Sequence, residues 1–305
     1  MLNLSMLVPA ILLAVALAGE PAWAQAQLAR TFVSAATGND ANDCNRPTPC
    51  RTFQRAHDAT FDQGEIAVLD TGGYGAVTIS KSISIVSEVG EASILVSGGA
   101  TGITVNAPNA YVNLRGLTIQ GIGFGGGTGL AFRAGFALTI TNCVIRNLTA
   151  DGIDFEPTGT AQLAVSNTLI ADNGGVGIRA GGIGNSLKVD IERVEMRNNS
   201  LYGAYLLGVA GGLHTSIVES AFSGNDTGIF AQGALGQPST VVVMHSALSN
   251  NRKTAATASG TSFIAMGQSL ISGNSLTWDN PDGGKVFSFG DNYISETSTG
   301  TGPFR

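Results

Sequence analysis

Charged residues are scarce in this sequence, and basic residues are the scarcer kind. Lysine and arginine number 16 against 22 aspartates and glutamates, charged residues make up 12% of the chain, and the net charge is −6. A protein that binds a nucleic-acid backbone needs a basic face to neutralise the phosphates. The composition therefore predicts no nucleic-acid partner.

Histidine is also rare, and the chain has no phosphate-binding motif. The three histidines, His57, His214 and His245, are scattered, so we expect solvated side chains rather than metal ligands. No glycine-rich loop follows a strand pattern and opens a helix, which nucleotide binding would need. We therefore predict neither a metal site nor a resident cofactor.

Apolar runs of membrane-spanning length are missing. Residues 6–18 are apolar except for Pro9, whereas a membrane span needs roughly 20 residues. Ala22-Trp23-Ala24 then forms the small-x-small pattern of a signal-peptide cleavage site. We predict a signal peptide at residues 1–24, secretion to the periplasm or outside the cell, and no membrane contact after cleavage. Nothing in the sequence indicates an oligomeric state.

Cysteine is scarce too, but two of the three residues lie close together. Cys44 and Cys50 flank a segment in which Pro47 and Pro49 turn the chain back. In an oxidising compartment this spacing predicts a local disulfide. The alternative, half of a metal site, has no second Cys or His pair to complete it.

Glycine, in contrast, is abundant at 42 residues, and the chain contains an internal repeat of 23 to 26 residues. Five residues before each anchor of the repeat the residue is apolar, and seven before it the one polar residue is Thr215. In the last repeat these two positions are Phe289 and Phe287. The anchors are Ile119, Ile145, Ile170, Met196, Phe222, Leu248, Ile271 and Ile294.

This spacing predicts three short strands and three bends in each repeat. Residues two apart in a strand point to the same side, so the positions seven and five before the anchor form one inward-facing strand. The anchor and the residue two before it form a second, and a third begins seven or eight residues after the anchor. Coils stacked about 4.8 Å apart would bury apolar sides that no single coil can bury.

The fold predicted from this pattern is all-β, a right-handed parallel β-helix (solenoid). A leucine-rich repeat would need a helix or a long convex segment, but strand patterns fill each repeat. A left-handed β-helix would need a hexapeptide period, which the sequence does not show.

Two columns of the repeat predict particular side-chain roles. Asparagines stand three residues after five of the anchors, where we expect them to adopt the left-handed backbone of a bend and to hydrogen-bond along the column. Cys143 lies in a column of mostly small residues, two before its anchor, and we expect an inert core thiol. The asparagines are Asn173, Asn199, Asn225, Asn251 and Asn274.

The ends of a solenoid need covers. Thr48 followed by Pro49 predicts a helix start, after which Phe53, Ala56 and Phe61 would share one helical face. We therefore interpret residues 25–64 as an N-terminal cap with a disulfide and a short capping helix. Residues 65–294 are then the β-helix, and residues 295–305 a C-terminal tail.

The cap sequence also carries a family resemblance. Phe32-Val33-Ser34, Gly38-Asn39-Asp40 and Pro49-Cys50-Arg51-Thr52-Phe53-Gln54, together with Cys44, resemble the opening of secreted bacterial β-helix proteins of the pectin-lyase-like superfamily. The asparagine ladders resemble the same group. The resemblance implies polysaccharide lyases, glycoside hydrolases, esterases and epimerases, alongside adhesins and proteins without known activity.

Catalytic β-helices usually carry their site on one outward sheet face, and the third strand of each repeat offers candidates. Aromatic side chains stack on sugar faces, and charged groups bind hydroxyls or uronate carboxylates. An alternative interpretation is a ladder of ion pairs and packed side chains between adjacent coils. The candidate substrate-binding residues are Arg133, Asp154, Glu156, Arg179, Tyr205 and Phe230.

No catalytic residue can be assigned from a motif. Asp154 and Glu156 are two apart on one strand, roughly 6.5–7 Å between Cα atoms, which is compatible with acid–base work on a glycoside. Asp151 with these two residues could imitate the calcium-binding cluster of a pectate lyase, so calcium would be a cofactor if the protein were a polysaccharide lyase. The motifs of polygalacturonases and alginate epimerases are absent.

Two functions follow as hypotheses. The first is a secreted β-helix protein that binds polysaccharide and, as a lyase or hydrolase, would also process it. The second is a non-catalytic surface or structural β-helix protein, in which the regular rod only presents a face. The sequence does not decide between them.

Overall fold

Strands dominate the computed structural model, which describes residues 27–121, 125–183, 186–208, 210–233 and 236–295. The strands form three parallel sheets in the order of the coils, with each complete coil adding one strand to each sheet. Alternating apolar residues fill the interior between the sheets, so the core is continuous along the stack. The parallel β-helix predicted from the repeat is confirmed. The proposed signal peptide and residues 296–305 lie outside the described residues.

Strands are numbered in chain order. Sheet 1 contains β1 (Leu28–Val33), β2 (Thr60–Val68), β5 (Ile83–Val86), β8 (Tyr111–Arg115), β11 (Ala137–Thr141), β14 (Ala161–Ser166), β17 (Leu187–Glu192), β20 (Leu213–Val218), β23 (Ser239–Met244), β26 (Phe263–Gly267) and β29 (Lys285–Ser288). Sheet 2 contains β3 (Gly72–Gly73), β6 (Ala92–Val96), β9 (Leu117–Gly121), β12 (Val144–Arg146), β15 (Leu169–Ala171), β18 (Glu195–Arg197), β21 (Ala221–Ser223), β24 (Ala247–Ser249), β27 (Leu270–Ser272) and β30 (Tyr293–Ile294). Sheet 3 contains β4 (Val77–Ile79), β7 (Ile103–Asn106), β10 (Leu130–Ala134), β13 (Ile153–Phe155), β16 (Ile178–Ala180), β19 (Tyr202–Gly208), β22 (Thr227–Gly233), β25 (Thr254–Ser259) and β28 (Leu276–Asp279). The α-helix α1 (Phe53–Ala59) and a 3₁₀ turn at Pro281–Gly283 complete the described elements.

The anchors of the repeat pair with one another in sheet 2, from Ile119 through to Ile294, as the sequence predicted. The last coil departs from the predicted register in sheet 1, where Met266 pairs with Ser288. Val286 therefore faces the core, and Phe289 is 62% exposed. The prediction of inward Phe287 and Phe289 was wrong because the bend before Ile294 is one residue longer than those before the other seven anchors.

The bends depend on residues with left-handed backbone. The turn from sheet 1 to sheet 2 uses a single such residue, for example Asn142 at φ 54° or Asn167 at φ 48°. In the turn from sheet 2 to sheet 3 the left-handed residue comes one position before the asparagine column, as in Asn198 at φ 54°. The expected asparagine ladder is present, but our assignment of the left-handed backbone to it was wrong by one residue.

The N-terminal cap contains the predicted disulfide, because Cys44 and Cys50 are bridged and buried. Helix α1 begins at Phe53, after Thr52, whose hydroxyl accepts a hydrogen bond from the Arg55 N–H at 3.2 Å. The helix start expected at Thr48-Pro49 was therefore too early. Phe61 lies in β2 and is 49% exposed, so it does not share the buried face of α1.

His57 corrects another expectation, since its side chain is buried rather than solvated. Its Nδ1 lies 3.1 Å from Asp58 Oδ1, and its Nε2 accepts a hydrogen bond from the Ser80 N–H at 3.2 Å. Burial lowers the pKa of His57, which favours the neutral ring that this acceptor role requires. His214 and His245 are exposed, as expected.

Cys143 is buried in the core, as predicted, and burial raises the pKa of its thiol to about 11. A thiol held protonated in this way is a weak nucleophile. Among the described helices, none has the length and apolar character that crossing a bilayer requires.

Candidate functional site

The candidate residues meet on the outward side of sheet 3. They stand in one register column because each follows an inward-facing residue, such as Ile153 or Ile178, that is fully buried. The column reads Ala131, Asp154, Arg179, Tyr205, Phe230 and Thr257 along the stack. Arg133 lies two residues after Ala131, and Glu156 lies two residues after Asp154. The sequence therefore correctly predicted which side chains share this face.

One half of the face is charged. Arg133 Nη2 donates to Asp154 Oδ2 at 2.5 Å, and Arg133 Nη1 lies 3.6 Å from Glu156 Oε2. Arg179 Nε donates to Asp151 Oδ2 at 2.7 Å, while Asp151 Oδ1 accepts the Val176 N–H at the same distance. These contacts join adjacent coils, which is what the interpretation as an ion-pair ladder expects.

Two atoms of the charged half form no hydrogen bond. Within the described residues, Asp154 Oδ1 and Arg133 Nη1 are buried and have no hydrogen-bond partner. Buried polar atoms in folded proteins are nearly always satisfied. Asp154 as a whole is 9% exposed, so its side chain is largely shielded from solvent although its position is on the outward side of sheet 3.

Glu156 is a carboxyl of the face whose pKa is raised. Burial raises the pKa of its carboxyl, and the nearby Asp154 carboxylate raises it further, whereas Arg133 and Arg179 oppose the shift. A carboxyl with a raised pKa beside a second carboxylate is an arrangement that can transfer protons.

The other half of the face is aromatic. The rings of Tyr202, Tyr205 and Phe230 are stacked, with centroids 5.1–5.5 Å apart and interplanar angles of 13–26°. The Arg179 guanidinium lies 5.3 Å from the Tyr205 ring centroid, which links the two halves. The Tyr205 hydroxyl donates to Gln232 Oε1 at 2.6 Å.

Tyr202 is the member of this aromatic row that sequence reasoning missed. It comes at the end of a bend, directly before Gly203, where the alternation of a strand does not yet define which side a residue faces. Its spacing of three from Tyr205 gives no strand signal. The sequence offers one signal for Tyr202: its position in the repeat is equivalent to that of Asp151 two coils earlier.

A small groove of about 260 Å³ continues from the aromatic row. Asp226 and Lys253, which sequence reasoning also missed, lie along it, and Lys253 Nζ donates to Asp226 Oδ2 at 2.7 Å. Arg252 Nε donates to the other oxygen of Asp226 at 2.8 Å. The face therefore runs from the Arg133 cluster, across the aromatic row, to a second charged pair.

The carboxylates of the face do not fit a calcium site. Oxygens of Asp154 and Glu156 face Arg133, and an oxygen of Asp151 faces Arg179, so these groups do not converge on one point. In the part of the chain that the structure describes, no group of three or more His, Cys, Asp or Glu side chains is placed to hold a metal ion. No calcium-dependent step follows from these residues.

Comparisons with known proteins identify the fold family. Residues 101–276 match the family model described as a right-handed β-helix region. The chain is similar to the solved structure of pectate lyase Pel9A, with a TM-score of 0.64 and 15% identity over 90% of this chain and 81% of that one. It is also similar to full-length tailspike protein 2 from Escherichia coli O157:H7 bacteriophage CAB120, with a TM-score of 0.57 and 13% identity.

The tailspike likeness covers 82% of this chain but 40% of the tailspike. Identities this low show the shared fold alone. No curated protein matches the sequence. The family model covers more than half of the residues, and the three parallel sheets agree with it. The chain belongs to the right-handed β-helix family.

Proposed function

We propose that the outward face of sheet 3 binds a polysaccharide. The observation that carries this proposal is the juxtaposition of a stacked aromatic row, Tyr202, Tyr205 and Phe230, with the charged cluster around Arg133. Aromatic rings pack against the C–H faces of sugars, and fixed polar atoms orient hydroxyls. That a pectate lyase shares the fold supports a carbohydrate-related role.

The charge of the face favours a neutral polysaccharide over a uronate. Three carboxylates, on Asp151, Asp154 and Glu156, accompany two guanidinium groups, and both guanidinium groups are engaged by carboxylates. A uronate would have to displace these partners and would meet an excess negative charge. A neutral glycan needs hydrogen bonds alone, which the exposed Glu156 carboxylate can accept from a hydroxyl.

The second candidate is hydrolysis of the bound glycan. Glu156, with its raised pKa, would be the general acid, and the Asp154 carboxylate next to Arg133 would stabilise positive charge or activate water. Because Glu156 must be protonated to act, the rate should fall as the pH rises through its pKa. The raised pKa extends the active range upward from that of an ordinary glutamate.

We also propose that the protein is secreted, because the Cys44–Cys50 bridge is typical of an oxidising compartment. The competing function is that of a structural or surface protein that binds no glycan. Substitutions on the sheet 3 face would then have no effect on glycan binding.

A binding experiment tests the proposal. The purified protein would be titrated by calorimetry with xyloglucan, mixed-linkage β-glucan and polygalacturonate. We expect binding to a neutral member, and at least a tenfold loss of affinity, about 1.4 kcal/mol, in the Tyr205→Ala/Phe230→Ala variant. Tyr293→Ala is the matched control, since Tyr293 is an exposed aromatic (73%) on sheet 2.

The outcomes separate the hypotheses. Failure to bind any of the three glycans, or equal affinity in the double variant, would contradict the proposal and favour the structural role. Glu156→Gln addresses hydrolysis: release of reducing ends should stop while glycan binding persists. Reducing ends that appear at an unchanged rate in Glu156→Gln would rule out Glu156 as the acid.

A further inference from the structure

A second groove lies on sheet 1, away from the sheet 3 face. We propose that it is a separate binding site for a neutral oligosaccharide. The groove has a volume of about 780 Å³, and it is lined by residues of β2, the segment between β4 and β5, β5, the segment before β8, β8 itself and β11. This volume lies within the range of small-molecule sites, roughly 300–1,000 Å³. The sheet 3 face and its residues take no part in it.

The ring of Tyr111 forms one wall of the groove, and a second aromatic ring packs against it. Tyr111, which is 60% exposed, lines it, and Phe136 packs against the Tyr111 ring with centroids 5.1 Å apart at an angle of 45°. Phe136 is itself 37% exposed, so both rings present apolar area to solvent. An exposed aromatic platform beside polar groups is the arrangement that packs against a sugar ring.

The floor of the groove is polar. Ser84, Asn113 and Thr139 stand in one outward column of sheet 1, at adjacent positions in the register. Their hydroxyl and amide groups both donate and accept hydrogen bonds, as sugar hydroxyls require. They alternate with the inward residues Ile83, Val112 and Leu138, which are buried in the core, so the floor is held by rigid strands.

The charges of the groove favour a neutral ligand. Its charged lining residues are Asp62 and Lys81, which cancel. Both are already engaged: Asp62 Oδ1 accepts the Ser82 N–H at 2.9 Å, and Lys81 Nζ donates to the Thr60 carbonyl at 2.5 Å. A uronate would therefore meet a single cation whose charge Asp62 offsets.

The length of the groove favours an oligosaccharide over a single sugar. The lining spans four successive strands of sheet 1, β2, β5, β8 and β11, which are adjacent in the sheet. Three strand spacings of about 4.8 Å give about 14 Å. A flat, equatorially linked chain could lie across the strands with one ring on Tyr111.

The test uses cellohexaose as the probe, in a Tyr205→Ala/Phe230→Ala background that disables the proposed sheet 3 site. In this background we expect cellohexaose to bind at one site. Adding Tyr111→Ala should weaken that binding at least tenfold, whereas Tyr111→Phe, which keeps the ring, should retain it within about threefold. Tyr293→Ala serves again as the exposed control, and thermal unfolding confirms that each variant is folded.

Three outcomes would overturn this inference: no cellohexaose binding in the background variant, unchanged affinity after Tyr111→Ala, or preferential binding of hexagalacturonate at this site. None of them affects the proposed function of sheet 3, which is judged by the loss that Tyr205→Ala/Phe230→Ala causes in the otherwise native protein. A glycan-bound crystal structure would show the probe against Tyr111.

Discussion

Asp70, in the bend that follows β2, is a single carboxylate that ties the cap to the first coil. It accepts hydrogen bonds from the Ser34 hydroxyl at 2.6 Å, from the Tyr74 hydroxyl at 2.6 Å, and from the N–H groups of Ala35 and Ala36. Burial would raise the pKa of Asp70, but these hydrogen bonds outweigh it and lower the pKa to about 2. The ionised form is therefore the one that the fold stabilises.

The sign of the resulting pH dependence follows from linkage. Because the pKa of Asp70 is lower in the folded chain than in the unfolded one, its contribution to stability is present above about pH 4. The contribution is lost as the pH falls from about 4 to about 2. We predict that Asp70→Asn lowers the free energy of unfolding at pH 7 by about 1–3 kcal/mol. It should also reduce the steepness of acid destabilisation in this range.

Thermal unfolding followed by circular dichroism between pH 2 and pH 7 checks this prediction. Asp190→Asn is a control, since Asp190 is an exposed carboxylate on the outward side of sheet 1. If the native protein and Asp70→Asn lost stability identically as the pH falls, ionisation of Asp70 would not contribute to the pH dependence of stability.

At the residue scale, the sequence predicted best where strand alternation is regular. Tyr205 and Phe230 were placed correctly because each follows an inward residue of its strand. Tyr202 was missed and Phe289 was assigned to the wrong side. Both lie at bends, where one extra residue changes the side to which a side chain points. His57 was misjudged because no sequence pattern shows that Ser80 donates to its ring from the next coil.

Among the structural elements, the asparagine ladder holds the bends between sheets 2 and 3 in place. Asn199 Nδ2 donates to Asn225 Oδ1 at 3.0 Å, and Asn225 Nδ2 donates to Asn251 Oδ1 at 3.2 Å. Asn225 Oδ1 also accepts the Asn199 N–H, and Asn225 Nδ2 also donates to the Met196 carbonyl, both at 3.0 Å. The side chain is completely buried, so water cannot replace these partners.

Asn225→Ala should therefore lower the free energy of unfolding by about 2–4 kcal/mol, because several buried groups on neighbouring coils lose their partner together. Chemical denaturation measures the change. Asn106→Ala is the matched control, an exposed asparagine on β7, and should change stability by less than about 0.5 kcal/mol. A loss in Asn225→Ala no larger than in the control would show that the ladder adds nothing to stability.

The ladder itself could be predicted because asparagine recurs at one position of the repeat in five coils. The left-handed residue beside it could not, since that position holds Asn, Asp or Gly in different coils, as in Asn198, Asp172 and Gly224. These residue types share a tolerance of positive φ rather than a side-chain pattern. A position that accepts several residue types is harder to recognise in a sequence than a position that requires a single type.

On the scale of the whole molecule, the stack of coils makes sites out of residues that are distant in the chain. Arg133 and Phe230 share the sheet 3 face although β22 lies four coils further along the stack than β10. The repeat length predicted this face, since equal coils bring equivalent positions together. It did not predict the groove on sheet 1, because that groove depends on the irregular part of β2 near Asp62 and Gln63, which lies outside the repeat.

The cap covers one end of this stack, and its disulfide loop pairs with the outermost strand of sheet 1. The Phe32 N–H donates to the Cys44 carbonyl and the Cys50 N–H donates to the Phe32 carbonyl, each at 2.9 Å. The loop thus occupies backbone groups of β1 that would otherwise form a free sheet edge. A free edge is a template for pairing with another chain.

The last prediction concerns the loss of this cover. Cys44 and Cys50 are six residues apart, and a loop of this size gives about 2 kcal/mol from the restricted unfolded chain. Cys44→Ser/Cys50→Ser should lower the free energy of unfolding by about that amount and increase self-association in analytical ultracentrifugation, because the β1 edge is less firmly covered. Cys143→Ser is the control, since it removes a buried thiol far from either end and should leave self-association unchanged. A double variant that stays as stable and as monodisperse as Cys143→Ser would show that the cap holds without its disulfide.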